Sequence, residues 1–278
     1  MQKISLFLLT ILLLGIIIPI GFSTAESPIV ITYGETTHNN ANYKNMVDDF
    51  FVEQADVDLN TIDSKIITAA EVNEIASTIT GKTYNSNQIY SSALVDLNDN
   101  TELSVSVDKS KITRITGEMY ISALKSVGIT KGHVYVTSPI TATGESALAG
   151  IMNSYEVATD VDIPDTVKEA ANNEIYTQAK IIENSNVDAD NLSELVNDVK
   201  EEVETNNITD FNTIVEVINN LTNESDINLT ASDIQSLASS IEELQNIQKD
   251  IEDYQTEVSD TLNETSVGNG LLEIFNQK

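Results

Sequence analysis

The sequence predicts an α+β protein. An N-terminal α/β sandwich-like domain, a small mixed sheet with helices packed on it, is followed by an all-α C-terminal region of about four helices. Three observations carry this. From Ile29 to Glu156, short β-branched runs alternate with segments of helical periodicity. After Pro164 every strong apolar pattern repeats at threes and fours. Hydrophobic residues make up 41% of the 278, enough to build a packed core rather than a disordered chain.

The elements follow in order. Residues 29–33, IVITY, read as a strand ended by Gly34 and suited to a sheet edge. Tyr43, Met46, Val47, Phe50 and Phe51 give residues 42–53 one helical face. Residues 64–67 read as a strand. Thr68 then caps a helix whose Val72, Ile75, Ala76 and Ile79 share a face, with Glu71 three residues after the cap and Gly81 at the end. Residues 89–97 and 103–107 read as paired strands joined by the turn residues NDNT. The stretch 110–129 reads as a helix with Ile112, Ile115, Met119, Ala123 and Val127 on one side, closed by Gly128. Residues 133–137, HVYVT, form the next strand, which Pro139 ends, and Leu148, Ile151, Met152 and Tyr155 mark another helix. The order suggests a split β-α-β core.

Beyond Pro164, helices are expected over 165–184, from Asp190 or Asn191 to about 206, and from Thr209 to about 223. The last opens at Thr230 or Ser232. Its seam of Ile234, Leu237, Ile241, Leu244, Ile251, Val258 and Leu262 is near heptad spacing but broken by Gln248 and Gln255, which favours packing in a bundle over a coiled coil.

Residues 1–25 read as a signal peptide or an N-terminal membrane anchor. A single charge, Lys3, precedes an apolar run over 4–22, and Ser23-Thr24-Ala25 offers the small residues a signal peptidase prefers. The run is also near the length that spans a bilayer. The expected organisation is therefore 1–25 for export or anchoring, 26–160 for the α+β domain and 161–278 for an acidic helical region. The protein is expected to be secreted or extracellular, cut after Ala25 or held to the membrane by residues 4–22, with no other membrane contact.

The formal charge is −30. Residues 26–158 hold 17 acidic and 8 basic side chains, whereas 159–278 hold 27 acidic and 5 basic. Such a field repels nucleic acid and anionic lipid, and it keeps an exported protein soluble. The absence of cysteine excludes disulfides, thiolate metal sites and cysteine nucleophiles. His38 and His133 are the only imidazoles, so a three-histidine zinc site is impossible and a Ser-His-Asp triad has two candidate bases.

Several motifs resemble known chemistry. Gly144-Glu145-Ser146 echoes a hydrolase elbow, but the fifth position is Leu148, and a strand-to-helix joint explains it better: Thr143 or Gly144 starts the helix, Glu145 sits in its first turn, and Gly150 allows close packing. Thr141, Thr143 and Ser146 could line a ligand cleft at that helix start. TGKT at 80–83 lacks the earlier glycine of a phosphate loop, since position 76 is Ala. Ser122 and Lys125 match S-x-x-K by spacing alone. Asp96, Asn98, Asn100 and Glu102 alternate as oxygen ligands do in calcium loops, making calcium the single candidate cofactor, although Thr101 replaces the loop glycine and Val107 the closing Glu. Asn191, Asn207, Asn220, Asn223, Asn228 and Asn263 lie in N-x-S/T sequons.

The stretch MYISALKSVGITKGHVYVTSPITATGESALAGIMNSYE carries a resemblance. Tyr120, Val127-Gly128-Ile129, the strand at 134–136, Pro139, Gly144, Ala147-Leu148, Gly150-Ile151 and Tyr155-Glu156 follow the pattern of the YpuA-like family of secreted proteins (domain of unknown function 1002). SSALVDL and LSVSVDKSKIT are similar to its hairpin and helix entry. The resemblance covers 29–156, about half of the chain. It implies export and fold, and it supplies no catalytic residues because the family has no assigned activity.

The expected function is a non-enzymatic binding or structural module of the cell envelope, acting on an envelope or extracellular protein partner. The alternative is a secreted hydrolase acting on envelope material through a carboxylate pair. A third reading is a calcium-stabilised surface module.

Overall fold

The computed structural model describes residues 29–80, 83–97, 102–225 and 227–264. The N-terminal 28 residues, with the segment expected to serve as signal or anchor, lie outside them. Among the described residues five strands and ten α-helices follow in chain order, with a 3-10 turn at Leu59–Thr61 between α2 and β2: β1 (Ile29–Gly34), α1 (Glu35–His38), α2 (Ala41–Ala55), β2 (Asp63–Ile67), α3 (Ala69–Thr80), β3 (Ser92–Asp96), β4 (Ser104–Val107), α4 (Gly117–Ser126), β5 (His133–Thr137), α5 (Glu145–Thr159), α6 (Asp165–Asn184), α7 (Ala189–Thr205), α8 (Phe211–Glu224), α9 (Ala231–Asn246) and α10 (Gln248–Glu264). The class is α+β, as the alternating patterns predict.

The five strands form one mixed sheet in the order β2-β1-β3-β5-β4. β1 pairs with β2 and β4 with β5 in parallel, whereas β3 is antiparallel to β1 and β5. Each parallel pair is joined through a helix, as a parallel connection requires. Three expectations are corrected here. β3 and β4 are not a hairpin, because β5 lies between them. Val134 and Val136 of β5 enter the main core while Tyr135 faces the α2 side, so the strand is covered on both faces. β4 is half-buried throughout, which suits an edge. Nor is β1 an edge strand: Val30 faces one core and Ile31 and Tyr33 the other, so it takes an interior place. The β-α-β units are therefore adjacent pairs rather than split ones.

The two faces are covered differently. Val47 and Phe51 of α2 pack on Ile31, Tyr33 and Leu94. The opposite face carries α4, α5, α6 and α10, with Tyr120, Leu148, Tyr155, Ile175 and Tyr254 in one apolar cluster with Val95, Val134 and Val136. That cluster runs across position 160 without a break. A second cluster joins α7, α8 and α9 through Val196, Val199, Ile214, Ile218 and Leu237.

Helix starts follow the capping signals. The Thr68 N–H donates to Glu71 Oε2 at 2.7 Å and the Glu71 N–H returns to Thr68 Oγ1 at 3.3 Å, a complete capping box. The predicted end at Gly81 lies outside the described residues. α4 is shorter than its apolar spacing implies. Residues 111–115 run extended beside 142–143, with Thr113 N–H donating to Ala142 O at 3.0 Å and Ala142 N–H to Lys111 O at 2.9 Å, and Thr116 then caps the helix. Ile112 and Ile115 are buried from this extended segment, which is why their spacing mimics a helix face.

The last predicted helix divides at Ile247 into α9 and α10. Positions 244–250 hold no Gly or Pro to mark the break. It lets α9 pack on α8 while Ile251, Tyr254 and Val258 of α10 enter the main core. Among the described residues no helix is long and apolar enough to cross a membrane.

Candidate binding cleft

A concave site with a volume of about 500 Å³ lies where α6 and α9 meet the start of α5. Its floor is built by Arg114 and Glu145. Ile112 and Ile115 anchor the extended segment on either side of Arg114, and Ile115 N–H donates to Thr143 O at 3.2 Å. Gly144 precedes α5 with φ at +110°, a region L side chains disfavour, and a Cβ there would meet Ile112 Cγ2 at 2.7 Å. The buried Tyr120 hydroxyl donates to Gly144 O at 2.6 Å and fixes the joint. Glu145 is then the first residue of α5, where the helix dipole favours its charge.

Arg114 Nη1 lies 3.0 Å from Glu145 Oε1 and 3.4 Å from Glu183 Oε2. The Glu145 side chain is 7% exposed and that of Glu183 is 45% exposed, so one guanidinium links a buried carboxylate to one at the rim. Asp233 of α9 also lines the cleft, and its Oδ2 accepts from the Thr230 N–H at 3.0 Å and hydroxyl at 2.7 Å in a capping box. Tyr84 is held by Asn73, whose Oδ1 accepts its N–H at 2.6 Å and whose amide donates to its carbonyl at 2.8 Å. Burial, then the charge of Glu145, raises the pKa of the Tyr84 hydroxyl. Burial, then Tyr84 and Glu145, raises that of Tyr176. Both phenols are held neutral and serve as hydrogen-bonding groups.

Thr141 and Thr143 are exposed and Ser146 half-buried at the start of α5, but the cleft opens on the side of Glu145 and none of the three lines it. Asp96 ends β3, while Glu102 bridges to Lys131 and pairs with Lys125 at 2.6 Å; Asn98 and Asn100 lie outside the described residues. Among the described residues no group of three His, Asp or Glu is placed to hold a metal. Asn191, Asn207, Asn220, Asn223 and Asn228 are exposed, and Asn263 lies in α10.

Lys125, of the S-x-x-K match, is paired with Glu102 rather than with Ser122. A different lysine meets that serine. Lys200 Nζ lies 2.6 Å from Ser122 Oγ, 2.8 Å from Ser126 Oγ and 2.9 Å from Glu174 Oε1, joining α7, α4 and α6. Ser122 and Glu174 are each 2% exposed, so this is a largely buried polar joint between three helices. His133 Nε2 lies 2.9 Å from Ser106 Oγ and its ring stacks on Tyr135 at 4.2 Å between centroids, across β4 and β5. That pair does not line the cleft.

Residues 33–261 match the family described as a protein of unknown function (DUF1002). The chain belongs to this family. It is similar to the uncharacterized protein YpuA of Bacillus subtilis (strain 168), with 32% identity over 129 residues, 46% of this chain. The matched stretch spans 44% of YpuA, under half of its length. No solved structure matches. The DUF1002 match covers both the sheet and the helices that wall the cleft, from β1 into α10.

The sequence pointed to the start of α5 and to Glu145 but not to Arg114, Tyr176 or Glu183. One signal was present: Arg114 is the sole arginine in a chain with 44 carboxylates. Tyr176 and Glu183 fall on a helix whose facing partner, α9, is distant in sequence, and no local pattern records that.

Proposed function

We propose that this protein is an exported, non-enzymatic binding module of the cell envelope and that the cleft between α5, α6 and α9 is its binding site. The observation that carries this is the state of the cleft's ionic groups. Arg114 stands between Glu145 and Glu183, and Asp233 is engaged by its helix cap. Hydrolysis by paired carboxylates needs one group on each side of the bond to be cut. Here a guanidinium stands between the two carboxylates, so this cleft does not offer the hydrolase reading its pair. The apolar run at 4–22 after Lys3, with the small residues at 23–25, supports export. The balance of −30 supports a solvent-exposed life outside the cell.

The test is capture of solubilised envelope material by residues 26–278, comparing the natural chain with Ser236→Phe. Ser236 is half-buried in the cleft wall, so the ring fills the site without entering the core. Retention by the natural chain and loss in the variant are expected. Equal retention by both moves the site elsewhere on the molecule.

A further inference from the structure

We infer that the cleft takes a neutral, polyhydroxylated ligand, a glycan chain, an inference that rests on the binding reading above. The argument runs by elimination among ligand classes and then by fit. An anion needs a free cation inside the cleft. Arg114 is already shared by Glu145 and Glu183, and the remaining cation in the lining, Lys180, stands at the exposed rim. With Glu145, Glu183 and Asp233 against Arg114 and Lys180, the lining carries a formal charge of 2 − 3 = −1. An anion would also approach a chain of net charge −30. A cation would have to draw on carboxylates that each already give one oxygen to a partner, in a lining whose formal charge is only −1. A hydrophobic ligand or an apolar peptide side chain needs a greasy pocket, and the aliphatic lining is Ala179 and Ile181.

What remains is hydrogen bonding. α6 presents Asn173, Thr177 and Asn184, and α9 presents Ser232, Ser236 and Ser239, both rows at helical spacing on the walls of the same cleft. Several of these groups use their protons within their own helix or against its neighbour. Ser236 Oγ donates to Ser232 O at 2.9 Å, the Asn184 amide donates to Lys180 O at 2.9 Å, and the Asn173 amide donates to Glu243. A hydroxyl that donates once still has lone pairs to accept with. The walls are therefore rich in acceptors, and their complement is a ligand rich in hydroxyl donors that carries no charge. Tyr84 and Tyr176, hydrogen-bonded to each other, also line the cleft. A linear sugar chain meets each of these demands, with successive hydroxyls spaced along a groove between two helices.

The experiment titrates isotope-labelled residues 26–278 with chitotetraose, cellotetraose and maltotetraose, following amide shifts by NMR. Inorganic phosphate and a basic and an acidic peptide serve as comparison arms, and Thr177→Ala/Ser236→Ala is titrated in parallel. The expected result is saturable shifts at α6 and α9 with at least one tetrasaccharide, weakened about tenfold or more in the double variant, the equivalent of about 1.4 kcal/mol. A tetrasaccharide that binds both proteins equally overturns the inference. So does a cleft that answers only to phosphate or a peptide, although binding at the cleft then stands. No response to any probe, together with no envelope capture sensitive to Ser236→Phe, removes both.

Discussion

Lys200 and Glu174 form an ion pair of 2.9 Å that ties α7 to α6 beneath the Ser122 hydroxyl. Their side chains are 17% and 2% exposed, so removing one partner strands the other's charge away from water. Glu174→Gln or Lys200→Met alone is expected to cost about 3 kcal/mol in urea unfolding. The double change Glu174→Leu/Lys200→Met should recover most of that loss, because the uncompensated charge is gone. A double variant as weak as the worse single one would show that the joint stabilises by hydrogen bonding rather than by charge balance.

The start of α5 depends on the bond from Tyr120 to Gly144. Tyr120→Phe removes one of the two donors to Gly144 O, leaving the Ala147 N–H at 2.9 Å, and is expected to cost about 1 kcal/mol. Gly144→Ala should also destabilise, since the residue has φ at +110° and its new Cβ would press on Ile112 at 2.7 Å. Thermal unfolding of both variants checks this. Gly144→Ala at natural stability would contradict the geometry of the joint.

α5 lies close on β1 through Gly150. A Cβ there would stand 3.1 Å from Thr32 Cγ2, and Thr32 Oγ1 is already bonded to Ser154 Oγ at 2.7 Å. Gly150→Val is expected to lose about 2 kcal/mol by overpacking. Thr32→Ser in the same background removes the opposing methyl and should restore part of it.

Asp210 caps α8, and hydrogen bonds from the Thr213 hydroxyl and N–H lower its pKa. A carboxylate whose folded pKa is depressed stabilises the fold at pH above its unfolded value, near 3.9, and loses that contribution as pH falls through the folded value. Asp210→Asn should therefore flatten the acid limb of stability against pH and leave the limb above neutrality unchanged. Carbon NMR of the Asp210 carboxyl, titrated downward, reads the lowered pKa directly.

Much of the fold was legible because its signals are local. The Thr68–Glu71 capping box, the Thr230 cap and each strand core were readable in a window of a few residues. Strand order was not, since it depends on which strand has apolar side chains for two cores, and β5 takes an interior place between β3 and β4 on that ground. The extended segment at 111–115 was misread because Ile112 and Ile115 bury themselves at the spacing of a helix face. In the cleft, Glu145 was visible as a first-turn acid. Its partners were not: Glu183 lies on a different helix and Arg114 in a segment taken for helix. The buried partner of Ser122 was likewise hidden, because Lys200 is 78 residues away.

The most direct test of cleft binding without catalysis is a mass balance. Solubilised envelope material is incubated with residues 26–278 or with Ser236→Phe, captured, eluted and sized against untreated material. Bound material that elutes intact from the natural chain and is absent from the variant is the predicted result. Material eluted in shortened form, or retained equally by Ser236→Phe, would contradict it.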